Sequence, residues 1–506
     1  METASTRAEM MGLALLSLST FVVCLSATCT NVIAFDLKLD LDSLLGNDFQ
    51  WTFPAFVCGE CAAMGFCAGF LDRYGRRTPF MLGTALFLLG CILCATSENM
   101  PFFCIARFVQ GVGAGAVIVT GVAQIYYNIR IPHKRYLGNG LLSLGFGAGM
   151  VFGIFIGRAA IDYGFGWRSL MWMFLILQAL LAYPCAKALE NGRNSEMRPD
   201  VAGGVILALL LGFLVYYLEK IYLDWRMESV GAKAGLALLI LLCVAFAYAE
   251  VRNPESVARR ALDDSRLMVA SLVMIVLLGM IDMGAVGWMA KVALFTYHLS
   301  VLEVLGPFTV LILGAVCTAV PASKTIHRTG HTFWFVLSAI LSPVALLSIS
   351  FIRYGDAVIF LSLHMFLIGL AIGCLVSLIN GTIQNRVTVD NNGAYMSFAI
   401  ATRTAALWVG YNVYQAFTDA HMVSQMGPTM DFWNSVLGVG LPCNGMLPCI
   451  LVTPLADVLK VIPGLTARIA DVFAEGVANG CAVLGILFAV VAIPVSVILV
   501  GRRKTL

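Results

Sequence analysis

The sequence predicts an all-α membrane protein of about fourteen crossings, on three observations. Of 506 residues, 60% are hydrophobic and 12% charged, against roughly 25% charged in soluble domains, and the mean hydropathy is +0.88. The apolar residues gather into fourteen runs, each near the ~20 residues a helix needs to cross a bilayer. With the N-terminus inside, the inner turns hold 20 Lys and Arg and the outer segments 8, the bias of cytoplasmic loops. An odd number of crossings would put the terminal Arg502-Arg503-Lys504 on the wrong side, so both termini are expected in the cytoplasm. This composition excludes a soluble enzyme. The net charge of +3 is scattered over short turns and offers no face for nucleic acid. The fifteen cysteines lie mostly within apolar runs, as small hydrophobes, without the paired spacing of a zinc site. No metal or cofactor is expected. The first apolar run is too long for a cleavable signal.

Spans at about 10–33 and 52–71 lead into the turn Ala68-Gly69-Phe70-Leu71-Asp72-Arg73-Tyr74-Gly75-Arg76-Arg77. Gly75 permits a tight reversal. Asp72 can pair with Arg76 or Arg77, or accept from helix-terminal N–H groups. One reading is a latch that makes and breaks at the membrane surface, and the other is a charged loop that only fixes topology. Spans at 79–97 and 102–126 follow. The latter carries Arg107-Phe108-Val109-Gln110-Gly111-Val112-Gly113. An arginine inside a span faces a polar interior or a partner, and the glycines allow close helix approach. Gly111-Val112-Gly113 lacks the Lys-Ser/Thr and strand context of a nucleotide loop.

The fifth span, 138–162, carries Gly140, Gly149, Gly153 and Gly157, and Gly145 extends a four-residue repeat on one helix face. Arg158 and Asp162 lie one turn apart. The sixth, 167–186, opens on Trp167-Arg168. Spans 201–219 and 231–249 form a pair ahead of a charged inner loop. Six more follow at 267–290, 302–321, 332–352, 357–381, 393–417 and 476–500. A long outer segment, 420–475, precedes the last. Within it, 447–461 is apolar but broken by Pro448 and Pro454 and reads as interfacial or re-entrant. A disulfide between Cys443 and Cys449 is left open.

These motifs resemble the major facilitator superfamily, nearest its fourteen-helix drug:proton antiporter branch. The turn at 68–77 is similar to the family loop Gly-x-x-x-Asp-Arg-x-Gly-Arg-Arg, with Ala68 at the first glycine. Residues 107–113 match its fourth-helix motif, Arg-x-x-Gln-Gly-x-Gly. The glycines of the fifth span reproduce the antiporter motif Gly-x8-Gly-x3-Gly-Pro-x2-Gly-Gly, except that Ile154 replaces the proline and Arg158 the last glycine. They serve either helix packing or coupling. Leu25 to Val32 resembles the first-helix motif Leu-Asp-x-Thr-x-Val-Asn, with Ser26 at the acidic position. Trp51 and Trp167-Arg168 are shared with the branch. Residues 323–331 echo the loop of 68–77, with His327 at the aspartate. The resemblance implies two six-helix bundles rocking about a midplane site. These are residues 1–190 and 263–506, with two inserted helices at 191–262. It further implies proton drive, a small-molecule substrate and a monomer in the plasma (inner) membrane.

Ionisable groups within spans default to function. Glu60 and Asp282 are the candidates for proton binding. Asn31, Arg107, Gln110, His364, Asn380, Arg403, Trp408 and Tyr411 are the candidates for the substrate cavity. Glu60 with Arg403 as a static structural pair is the alternative, as is packing for the aromatics. The leading expectation is export of a small amphipathic organic compound by proton antiport. Proton-symport uptake of an organic anion is the second, and a membrane sensor on a transporter scaffold is the third.

Overall fold

A computed structural model describes residues 2–41, 48–129, 132–189, 200–223, 228–253, 256, 265–297, 299–353, 355–385, 387, 392–437 and 465–500. Cys443, Cys449, the 447–461 stretch and the terminal Arg502 to Lys504 lie outside the described residues, as do the side chains of Asp282 and His327.

Among the described residues there is no strand, and each of the fourteen runs is helical. In chain order the helices are α1 (Glu2–Val32), α2 (Ala34–Asp40), α3 (Thr52–Ala68), α4 (Leu71–Tyr74), α5 (Arg77–Ala95), α6 (Met100–Asn128), α7 (Pro132–Asp162), α8 (Trp167–Ala188), α9 (Val201–Leu223) and α10 (Val230–Arg252). Then come α11 (Ser265–Phe295), α12 (Val301–Ser348), α13 (Val358–Gln384), α14 (Asn392–Leu437) and α15 (Leu465–Val500). Twelve spans among them are long and apolar enough to cross a membrane. Two further runs do not meet that description. The 17-residue α3 is short, and α14 carries Arg403, Asn412, Gln415, Asp419 and His421.

Local chemistry sets the helix ends. Asn99 accepts from the Phe102 N–H at 2.9 Å, with a proline in the first turn of α6. Ser300 and Glu303 form a reciprocal capping box at the start of α12. At Gly330 (φ 76°) α12 breaks into two spans, 303–326 and 333–351. Helix reaches further into the 420–475 segment than its composition suggests, because α14 runs to Leu437 and α15 begins at Leu465. His421 and Glu475 join these extensions at 3.0 Å.

The chain forms two compact units. One contains residues 1–276, 319–331 and 376–406, and the other contains 277–318, 332–375 and 407–506. In the first unit the glycine stripe of α7 lies against α1. A Cβ at Gly149 would stand 2.5 Å from the Phe21 carbonyl oxygen, and one at Gly157 2.7 Å from that of Cys29. The recurrence every fourth residue thus serves backbone approach, and the side chains of α1 fill the stripe. Gly140 is half-buried. The α3–α6 contact is a similar interlock, with Gly111 against the Phe56 carbonyl and Gly59 against that of Phe108. Helix α9 packs on α3, where Gly65 meets the backbone of Ala208 and Gly69 that of Asp200, and α10 packs on α9. Helices α9 and α10 are therefore attached to the rest of the first unit through α3.

Candidate functional site

Three groups of polar side chains stand out within the first unit. The first surrounds the turn at 68–77. Gly75, at φ 77°, turns the chain between α4 and α5. Buried Asp72 accepts from the N–H groups of Gly393 at 2.7 Å and Ala394 at 2.8 Å. These are orphan donors at the N-terminus of α14, where the helix dipole favours an anion. Position 393 has to be glycine, because a Cβ there would stand 2.8 Å from that of Leu71 and closer still to the carboxylate. Arg76 is fully buried, with its guanidinium 3.3 Å from the centroid of the Tyr127 ring. Arg77 donates to the Ala186 carbonyl at 2.8 Å, at the electronegative end of α8. Arg73 is half-buried on α4.

Further polar groups surround this contact. The Gln384 amide donates to the Val122 carbonyl at 3.0 Å and accepts from Asn139 at 2.7 Å. Arg135 donates to the Gln384 carbonyl at 2.9 Å and lies over the Tyr126 ring. Asn392 donates to the Ala123 carbonyl at 3.0 Å. The end of α13 and the start of α14 are thereby stitched to α6 and α7.

The second group is interior. Arg107 has no exposed surface. It donates to the Thr52 carbonyl at 3.2 Å, to the Ala27 carbonyl at 3.5 Å and to Gln110, and it lies over the Phe56 ring at 4.4 Å. Gln110 donates onward to the Cys91 sulfur at 3.1 Å. This arginine braces α1, α3 and α6. Buried Glu60 lies within electrostatic reach of Arg403 and Arg107. Arg403 rests over Phe146 at 5.1 Å, and its neighbour Thr404 donates to the Met64 sulfur at 3.4 Å. Asn31 is half-buried and Asn380 buried, both in the same unit.

The third group explains the Trp167-Arg168 pair. Both side chains donate to one carboxylate oxygen of Asp40, at 2.8 and 2.5 Å, and Arg168 also donates to the Ser97 carbonyl at 3.1 Å. Arg158 pairs with Asp162 at 2.7 Å and reaches Asp36 at 3.7 Å. Helix α2 is thus tied to the α7–α8 corner. The hydrogen bonds from Trp167 and Arg168 hold the Asp40 carboxyl below its ordinary value. A depressed folded pKa gives stability that is present above the unfolded value, about 3.9, and lost as pH falls through the folded one. Asp40→Asn is therefore expected to lower the thermal midpoint by the same amount at pH 7 and pH 5. The difference should shrink below about pH 4, as read by melting in detergent.

The second unit holds the remaining candidates. His364 Nδ1 lies 3.0 Å from the Ser348 hydroxyl. Trp408 and Tyr411 stack at 5.1 Å. Asp282 is on α11 in this unit, whereas Glu60 is in the other. The charge count places Lys291 in an outer segment, but α11 extends to Phe295. Lys291 Nζ lies 4.0 Å from the centroid of Trp288 and 3.0 Å from the Tyr411 hydroxyl. The Trp288–Lys291 spacing, one turn on a helix, was the available signal. No spacing pointed to Gln384, whose side-chain partners are 245 and 262 residues away in the chain.

A protein-family model described as Major Facilitator Superfamily matches residues 16–411. Multidrug resistance protein Stp of Mycobacterium tuberculosis is 27% identical over 250 residues, which are 49% of this chain and 46% of that protein. The match thus spans about half of its length. Multidrug resistance protein 3 of Bacillus subtilis is 23% identical over 390 residues, 75% of this chain and 73% of that protein. A solved bacterial homologue of the human lysosomal transporter Spinster shares the fold with a TM-score of 0.59 at 14% identity, over 98% of this chain and 99% of that one.

Proposed function

Because the chain belongs to the major facilitator superfamily, we propose that it is a proton-coupled secondary transporter exporting a small amphipathic organic compound in exchange for protons. The observation that carries this reading is the Asp72 carboxylate clamped on the N-terminus of α14. Such a clamp is strong when made, yet it breaks without breaking either helix, as a gate must. The names of the two multidrug resistance relatives support an amphipathic cargo.

In this reading residues 1–190 and 263–506 are the two halves, with 191–262 inserted between them. The protein works as a monomer in the plasma membrane with both termini inside. Glu60 is the proton carrier, with Arg403 as its counter-charge. When the carboxylate takes a proton it no longer balances Arg403, and the change in charge biases which side is open. Asp282 is the second proton candidate. Arg107 braces the bundle that carries Glu60. Asn31, Gln110, His364, Asn380, Trp408 and Tyr411 line the substrate path. Each 100 mV across the membrane supplies about 2.3 kcal/mol per charge moved, which is ample to drive a cycle of this kind.

Flux of fluorescent amphipathic dyes into inside-out vesicles under an imposed proton gradient tests the proposal. Accumulation that collapses with a protonophore supports export. Acid-stimulated entry into whole cells instead supports symport. Retained dye binding with no flux in either direction supports a sensor.

A further inference from the structure

We propose that Lys291 and Tyr411 form an anion-recognition site on an aromatic wall of the second unit, and that the cargo is an amphipathic organic anion. This rests on the transport reading above for its purpose, and on contacts of Lys291, Trp288 and Tyr411 not used there for its evidence. Lys291 is four residues from the C-terminal end of α11, a position where a lysine serving only the membrane surface would extend toward water. It turns across to α14 instead. Its ammonium lies 4.0 Å from the centroid of Trp288 and 5.3 Å from that of Tyr411, and it donates to the Tyr411 hydroxyl at 3.0 Å.

The wall behind it is continuous. Trp408 stacks on Tyr411 at 5.1 Å and 16°, Trp288 meets Tyr411 at 5.6 Å, and Phe473 meets Trp288 at 5.9 Å. Trp288 also donates its indole N–H to the Tyr411 carbonyl at 3.3 Å, which fixes the α11–α14 geometry. Trp288, Trp408 and Phe473 are buried, whereas Lys291 and Tyr411 are half-exposed. The accessible edge of an apolar wall is therefore one ammonium and one phenol, both held by rigid rings. That edge suits a carboxylate or sulfonate, which takes a charge-assisted hydrogen bond from the ammonium and a second from the phenol. The attached ring system then lies against the exposed part of Tyr411. Preorganised rings reduce the entropy lost on binding. The same edge opposes a cation by charge.

The test uses the purified full chain in nanodiscs and a charge-reversed pair of probes, 2-naphthoate and 2-naphthylmethylammonium, measured by equilibrium dialysis against empty nanodiscs. We expect saturable binding of 2-naphthoate that is weakened at least tenfold by Lys291→Met and severalfold by Tyr411→Phe. Lys291→Arg should keep it within threefold, and none of these changes should weaken binding of the cation. Tyr411→Phe keeps the ring, so it also serves if Lys291→Met does not fold. Absence of saturable naphthoate binding overturns the site, as does binding unchanged in both Lys291→Met and Tyr411→Phe. Lys291-dependent binding without proton-driven flux of any compound upholds the site and overturns the transport reading alone. Proton-driven dye flux without naphthoate binding does the reverse.

Discussion

Glu60→Gln is expected to remove the proton dependence of transport while sparing substrate exchange. The amide keeps the shape and the polar atoms of the buried side chain but no longer gains or loses a charge. Net flux into vesicles under a proton gradient should fall at least tenfold. Exchange of labelled for unlabelled substrate, which needs no change in protonation, should stay within about threefold. Arg403→Gln in the same assay should also lower net flux, because Glu60 and Arg403 act on each other in the interior of the first unit. If Glu60→Gln leaves the gradient response intact, Glu60 belongs to a static pair, and Asp282 becomes the remaining carboxyl candidate.

The second large effect is expected at the latch. Asp72 makes two hydrogen bonds to helix-terminal donors, and a bond to a charged group contributes about 1.5–3 kcal/mol. Asp72→Asn keeps one acceptor oxygen and loses the charge, so the latch should weaken by about 2 kcal/mol, a roughly 30-fold change in the open fraction. Val122, buried beneath Gln384, is the reporter. Val122→Cys should react slowly with a membrane-impermeant maleimide added to inside-out vesicles, and some 30-fold faster when combined with Asp72→Asn. Gln384→Leu should accelerate labelling by a smaller factor, since it removes neutral hydrogen bonds. Equal labelling rates in all three backgrounds would show that these contacts do not control access.

Much of this was legible from residue order because the bilayer imposes it. Span length and the glycine repeat of α7 are local signals, and the helices follow them. The Asp72 turn was legible down to its alternatives, of which the bond to helix-terminal N–H groups is present. The Arg158–Asp162 pair follows from i, i+4 spacing in the same way. The sites that escaped are set by tertiary contact. Gln384 reads as one of several polar residues just past the 357–381 run until α6 and α7 arrive beside it. Asp40 reads as a loop acid until the α8 corner reaches it. Lys291 was assigned by charge count to an outer segment, and only the approach of α14 gives it Trp288 and Tyr411 as neighbours.

The central claim is that the latch between the 68–77 turn and α14 opens and closes under control of the proton on Glu60. It is tested most directly by double electron–electron resonance with spin labels at the exposed positions Tyr74 and Arg328, in a background whose native cysteines, the exposed Cys243 and Cys317 among them, are replaced. The account predicts two distance populations whose ratio changes between pH 7.5 and 5.5 in the unaltered protein, and a ratio that no longer responds to pH in Glu60→Gln. A single distance under all conditions, or the same pH response in Glu60→Gln, would contradict it.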